Sequence, residues 1–333
     1  MLSGAWSVGG GVKLSLLDRS RTRRGQPDSA AIDATVERAV AAERLGYERF
    51  WVAEHHGVPG IASGSPAVLL AAIGARTTRI RIGSGGVMLP LHQPLVVAEQ
   101  LLVLDALHPG RVDLGLGRSL GFTPPVRRAL RRDVDDPDTF EADLVELRGY
   151  LDGTAEVTAR PATGRPVPMH LLATGRGLEV AARLGLPVVV GGPILDSDEL
   201  ADALGAYRRS FRPHEGSRAR VTVALDVLLA DDDETARDLA LPEAWAMAMS
   251  RQAGEFPPLD SVADIRAAEW TSQVRRRVEA SLARAVAGSA RTVRRRIEDL
   301  AERAGADELL ASTSTYDREA QLESDRMLRD VVG

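Results

Sequence analysis

The residues best suited to chemistry in this chain stand just beyond short apolar runs. Trp51-Val52-Ala53 leads into Glu54-His55-His56, three ionisable groups directly after a buried stretch. Imidazole titrates near neutral pH, so it can serve as acid, base or hydrogen-bond donor to a developing anion. Adjacent side chains on extended chain point opposite ways, so only one of the two histidines can face a site at the strand's end. The cluster reads as catalytic or substrate-facing through at least one histidine, with Glu54 beside it; a purely structural pair is the alternative. A metal is not expected, because His92, His108, His170 and His214 stand at no ligand-like spacing from it. His92 reads as a loop cap.

Three other segments could hold a ligand. Gly83-Ser84-Gly85-Gly86 lies inside an apolar run. Glycine there marks either a close approach, such as a flat ring on the backbone, or a tight bend. Arg118 follows Leu114-Gly115-Leu116-Gly117, and a guanidinium suits phosphate or carboxylate. Thr174-Gly175-Arg176-Gly177 precedes a helix pattern, where free backbone N–H groups can take an anion. Together they suggest one phosphate held by Arg118 and Thr174–Gly177; an ordinary N-cap is the plainer reading of Thr174. The basic run Arg19–Arg24 reads as a solvated loop.

These residues need elements to carry them. Strands are expected at Val12–Leu17, Arg49–Ala53, Ile80–Leu89, Val112–Leu116, Val167–Leu172, Pro187–Val190, Arg220–Leu229 and Glu308–Ser312. They are Val/Leu/Ile-rich without strict alternation, as in a parallel sheet covered on both faces. Helix-period stretches lie between them. Ser65-Pro66 and Pro94 mark two starts, and Gly46 and Gly110 mark two stops. No G-x-G-x-x-G follows the first strand, which argues against an open dinucleotide-binding sheet. Eight strands in 333 residues instead predict an α/β fold, a (β/α)8 TIM barrel in a single domain, 1–333. Residues 231–288 leave the alternation and are expected as a helical insertion after strand seven, either a pocket wall or a packing or dimer element.

Composition bounds the function. Lys+Arg number 42 against 47 Asp+Glu, and there is no cysteine. That excludes disulfides, a thiol nucleophile and Cys-ligated metal. The mild acidity argues against a nucleic-acid partner. No apolar run reaches the ~18 residues of a membrane span, and the N-terminus does not read as a signal peptide, so a soluble cytoplasmic protein is expected.

The same segments carry a family resemblance. LGYERFWVAEHH (45–56), RIRIGSGGVMLPLHQPLVVAEQ (79–100) and HPGRVDLGLGR (108–118) resemble the bacterial luciferase-like flavin-dependent monooxygenases. LLATGRGLEVAARLGLP (171–187) and SARTVRRRIEDLAERAGADELLASTSTYD (289–317) extend the likeness. The resemblance implies a (β/α)8 barrel that uses reduced FMN, or F420 as the alternative. It implies His55 as the base near the flavin. It implies Gly85-Gly86 as a non-proline cis peptide under the ring, and Arg118 and Thr174 as phosphate ligands. The turn Thr174-Gly175-Arg176-Gly177 departs from the Ser-rich turn of many relatives, with Arg176 a possible compensating charge. Gly121 stands where luciferase has an aromatic, so light emission is not implied.

The leading functional reading is an FMNH2-dependent monooxygenase. It would activate O2 through a flavin C4a-peroxide and oxygenate a small organic substrate. A separate NAD(P)H-dependent flavin reductase would supply it, and a homodimer is expected. An F420-dependent oxidoreductase and a non-catalytic flavin-binding protein are the alternatives. Trp51, Phe122 and Phe256 are the nearest candidates for an aromatic pocket wall.

Overall fold

The computed structural model describes residues 12–332 apart from Phe122. The strands are β1 (Lys13–Asp18), β2 (Arg49–Val52), β3 (Arg81–Met88), β4 (Val112–Gly117), β5 (Met169–Leu172), β6 (Val188–Gly191), β7 (Val221–Leu229), a three-residue β8 (Val286–Gly288) and β9 (Glu308–Ser312). β1 to β6 pair in chain order, all parallel. β6 pairs with β7, β7 with β9, and β9 with β1, which closes an eight-stranded ring. Each expected strand is present. β8 is the addition: it extends the C-terminal end of β7 and closes the insertion.

Helices cover the outside: α1 (Ser29–Leu45), α2 (Pro66–Arg76), α3 (Pro94–Leu107), α4 (Pro124–Ala129), α5 (Phe140–Asp152), α6 (Arg176–Arg183), α7 (Leu200–Ser210), α11 (Ala290–Ala304) and α12 (Arg318–Val332), with α8 (Asp233–Ala253), α9 (Val262–Ala267) and α10 (Ser272–Arg284) in the insertion. Pro66 and Pro94 occupy first positions, where the missing N–H costs nothing. Gly46 ends α1 at φ 78°, a left-handed turn that a side chain would strain. Among the described residues no helix is long and apolar enough to cross a membrane.

Strand alternation sorts the side chains. Leu14, Leu16, Phe50, Val52, Ile82, Leu114 and Leu116 face outward and are buried in the core shared with the helices. The other face lines the barrel interior in layers. At the N-terminal end Arg49 donates to both carboxylate oxygens of Glu308, at 2.7 and 3.0 Å, and to Asp113 at 2.7 Å. Arg81 also pairs with Asp113, and Ser15 donates to Glu308. The middle layer is apolar: Trp51, Val189 and Leu310, with Leu17, Leu172 and Ala224 against them. The third layer opens at the C-terminal mouth.

Two glycines, Gly83 of β3 and Gly115 of β4, border that middle layer. A Cβ at Gly83 would stand 2.6 Å from the Trp51 indole nitrogen, and one at Gly115 would stand 3.1 Å from its ring. The indole fills the space that a side chain at Gly83 would take, and at Gly115 the Ser84 carbonyl oxygen stands closer still, at 2.1 Å. This corrects the expectation that Trp51 walls a pocket: it is 1% exposed, inside the barrel.

The insertion 231–288 is helical, as expected, and packs on a small cluster of its own around Trp245, Ile265 and Val278. It is fastened to the barrel by the run Arg19–Arg24. Leu259 donates its N–H to the Thr22 carbonyl at 2.9 Å, and Arg24 donates to Leu259 at 2.9 Å. Arg21 donates to Glu243 of α8 at 2.9 Å, and Arg23 to the carbonyls of Thr315 and Tyr316. A solvated loop is therefore the wrong reading. Ser20, Arg21, Thr22 and Arg23 are buried because their guanidinium and hydroxyl groups satisfy carbonyls and a carboxylate brought from distant segments.

Candidate active site

The barrel's C-terminal mouth holds a cavity of about 810 Å³. That is within the ~300–1,000 Å³ common for small-molecule sites. Leu17, Ala53, His55 and Gly85 form its floor. Gly191 at the end of β6, Gly192, Pro193, Leu195 and Asp196 beyond it, and Ala224 to Leu228 of β7 form one side. Ala240, Glu243, Ala244 and Met247 of α8, with Ser281 and Leu282 of α10, form a wall. The insertion is thus a wall of this pocket. Phe256 does not line it and sits with the Arg21 guanidinium 6.0 Å from its ring centroid. Phe122 lies outside the described residues.

β2 delivers His55 by alternation. Arg49, Trp51 and Ala53 point inward, and His55 continues the series at the rim, where it lines the cavity; His56 does not. Its backbone N–H donates to the Ser63 carbonyl at 2.9 Å. Burial, and then the Arg19 cation, push the His55 imidazole down to about 4. It is therefore neutral at pH 7 and able to accept a proton or to donate one hydrogen bond.

Glu54 faces the other way, toward the helices. Its Oε1 accepts from His56 Nε2 and His92 Nε2, each at 2.6 Å, and its Oε2 accepts from the Met88 N–H at 2.9 Å. Burial alone would raise this carboxyl, but the three donors outweigh it and hold it at about 2. Glu54 therefore does not touch the cavity. It ties the end of β2 to the end of β3 and fixes the segment that carries His55. The sequence placed His92 at no useful spacing; the β2–β3 pairing brings it alongside. The ligand atoms of Glu54, His56 and His92 lie within 4.8 Å of one another.

Gly85 lines the cavity, and the Gly85-Gly86 peptide is cis. A Cβ at Gly85 would lie 2.6 Å from Leu17, and one at Gly86 2.8 Å from the Gly115 carbonyl oxygen. Gly86 meets fixed backbone and has no room for a side chain, and at Gly85 bare backbone faces the site. Gly191 and Gly192 do the same on the β6 side. A flat ring system fits this cradle.

Arg118 and Thr174–Gly177 lie at neighbouring strand ends, since Leu116 pairs with Leu171. Thr174, Gly175 and Arg176 are exposed at the start of α6, and Gly175 has φ 52°. Arg118 is 61% exposed, pairs with Asp138 and is not among the cavity's lining residues. The strand order brings the two segments together; the arginine side chain is turned to Asp138.

Sequence reading missed a polar group inside the cavity. Arg19, the first residue past β1, donates to Ser312 Oγ at 2.7 Å and to Glu243 at 3.2 Å, and pairs with Asp226. The rule that found His55, inspecting the residue after each strand, applies equally to Arg19, but here its ring of carboxylates comes from β7 and α8.

Residues 12–308 match the family model described as luciferase-like monooxygenase. The chain belongs to the luciferase-like monooxygenase family. It is 33% identical over 328 residues to a luciferase-like monooxygenase of Escherichia coli (strain K12), covering 96% of this chain and 97% of that one. The apo crystal structure of MsnO8 superposes with a TM-score of 0.86 at 31% identity, covering 97% and 98% of the two chains. The oxygenating constituent of 3,6-diketocamphane monooxygenase from Pseudomonas putida, solved with FMN, shares the fold at TM-score 0.73 and 18% identity over 97% and 98%. Family membership makes this chain a flavin-dependent oxidoreductase.

Proposed function

We propose that this luciferase-like protein is an FMNH2-dependent monooxygenase acting on a small organic substrate and O2, supplied by a separate NAD(P)H-dependent flavin reductase. One observation carries the reading: a neutral histidine, His55, and the bare Gly85 backbone, at the start of the cis Gly85-Gly86 peptide, face the same mouth cavity. When bound, reduced FMN supplies the electrons that activate O2. The chain's residues do the rest. Gly85 and Gly86 leave room for the ring, and the α8 wall keeps water from it. His55, held low by burial, takes a proton from the substrate or steadies a developing anion. Glu54 does not react; it positions His55 through His56, His92 and Met88. The phosphate lies between Arg118 and the Thr174-Gly175-Arg176-Gly177 turn, Arg118 exchanging Asp138 for the ligand.

The working unit in this reading is one barrel domain, 1–333, in a homodimer. α3 supports the dimer: it exposes Val96, Val103 and Leu107, and α2, which packs on it, exposes Val68. Titration with FMN and with F420, each oxidised and reduced, tests the cofactor. Binding of FMNH2 followed by oxygen-dependent product formation supports the reading. Tight F420 binding with no oxygen requirement replaces it with hydride transfer.

A further inference from the structure

The insertion carries seven arginines, and three have partners. Arg237 pairs with Glu279, Arg266 with Asp238, and Arg275 lies 5.2 Å from the Trp270 ring centroid. Four do not. Arg251 of α8 and Arg276, Arg277 and Arg284 of α10 line one groove of about 290 Å³ between the two helices. Among the described residues none of the four has an ion-pair or hydrogen-bond partner, and no carboxylate lines the groove. Arg277 Nη1 is buried there without a partner.

Helical spacing produces the groove. Arg277, Ser281 and Arg284 recur at four and three residues on α10, one stripe facing α8. Ala248, Ala280 and Ser281 make a floor of small side chains. Four cations gathered without a counter-charge repel one another, and a buried donor left unmade costs stability. The chain as a whole is acidic, at −5, so the concentration of positive charge is local.

The groove is continuous with the active-site cavity: Met247, Arg251, Ser281 and Arg284 line both. From there the wall toward His55 turns apolar, through Leu282, Ala244 and Ala240. We propose that this groove binds the anionic end of an amphipathic organic substrate, a carboxylate, sulfonate or phosphate, whose apolar body extends into the cavity toward His55 and Gly85. The proposal rests on the oxygenase reading for what happens to the substrate, but not for its binding. Guanidinium fits such oxyanions bidentately, and an arriving oxyanion satisfies Arg277 Nη1.

Binding of four probes to the flavin-free full-length protein tests it: octanoate, octanesulfonate, octyl phosphate and octan-1-ol. Calorimetry and the fluorescence of Trp245 and Trp270, whose ring centroids lie 5.2 Å apart in the insertion, give the affinities. At least one anion should bind about ten-fold or more tightly than the alcohol, with the advantage shrinking as salt is raised. In the R276Q/R277Q double variant that anion should fall to the alcohol's affinity, while the alcohol is unchanged. R251Q, at an exposed position of α8, should lose part of the advantage and guards against a fold defect in the double variant. No preference for any anion overturns the proposal, as does a preference that survives in both variants. So does FMN affinity falling in step with the anion's, which would make the groove the flavin phosphate site. Because no readout involves turnover, failure of the oxygenase reading leaves this result standing, and the reverse.

Discussion

The two ends of the barrel carry the same kinds of residue and use them differently. At the N-terminal end Arg49, Asp113, Glu308 and Ser15 fill the interior, all but closed to solvent, each with a partner. At the C-terminal end Arg19, Asp226, Glu243, Ser312 and His55 surround a cavity. Between them the Trp51 layer separates a sealed polar plug from an open polar site. Inward positions at the base meet one another across the ring, so their charges cancel without room for a ligand. At the mouth the loops diverge and the insertion roofs the gap, so charge is arranged around space. The base reads as stability and the mouth as chemistry, as in other barrels of this kind.

The largest effect should come from the mouth. His55→Ala is expected to keep FMN affinity within a few-fold and to lose coupled oxygenation by ~100- to 10,000-fold, releasing hydrogen peroxide instead. His56→Ala should chiefly lower stability. Coupled turnover that survives in His55→Ala and disappears in a folded His56→Ala would reverse the two roles.

The base should respond in stability. Arg49→Ala leaves Asp113 and Glu308 buried with a partner gone, and such losses cost about 3–5 kcal/mol. Urea unfolding should show it. An equal loss for Arg118→Ala, at the exposed rim, would erase the distinction between the two ends. Arg118→Ala is instead expected to weaken FMN ~10- to 100-fold while leaving riboflavin nearly unchanged, because only FMN brings the phosphate. Equal losses for both ligands would move the phosphate elsewhere.

The smallest effect is in pH. His55 at the mouth and His170 in β5, both pushed down to about 4 chiefly by burial, are neutral when folded. An unfolded histidine titrates near 6.5. Between these values the unfolded chain binds more protons, so stability rises with pH there and is lost as pH falls from about 6.5 toward 4. Glu54, held at about 2, adds a second loss from about 4.5 downward, because the unfolded carboxylate protonates first. Denaturation midpoints from pH 7 to 4 should fall less steeply in His55→Ala than in the parent. An unchanged slope would mean that His55 is not buried as a neutral group.

What the sequence by itself determined was the alternation. Eight apolar runs separated by helix patterns specify a barrel, because local periodicity and the placement of Pro66, Pro94 and Gly46 need no knowledge of partners. Alternation along β2 also decides that His55 and His56 face opposite ways. The residues Glu54, His92, Arg19 and Arg21 received their roles only from tertiary structure. His92 reaches Glu54 across 38 positions and Arg19 meets Glu243 across 224, and no spacing rule spans such distances. Gly83 shows the same limit: the sequence marks it as a close approach or a bend, but only the packed barrel shows that the approaching group is Trp51. Pairing across a closed sheet is set by register and ring closure together, properties of the assembled strands and of no single one.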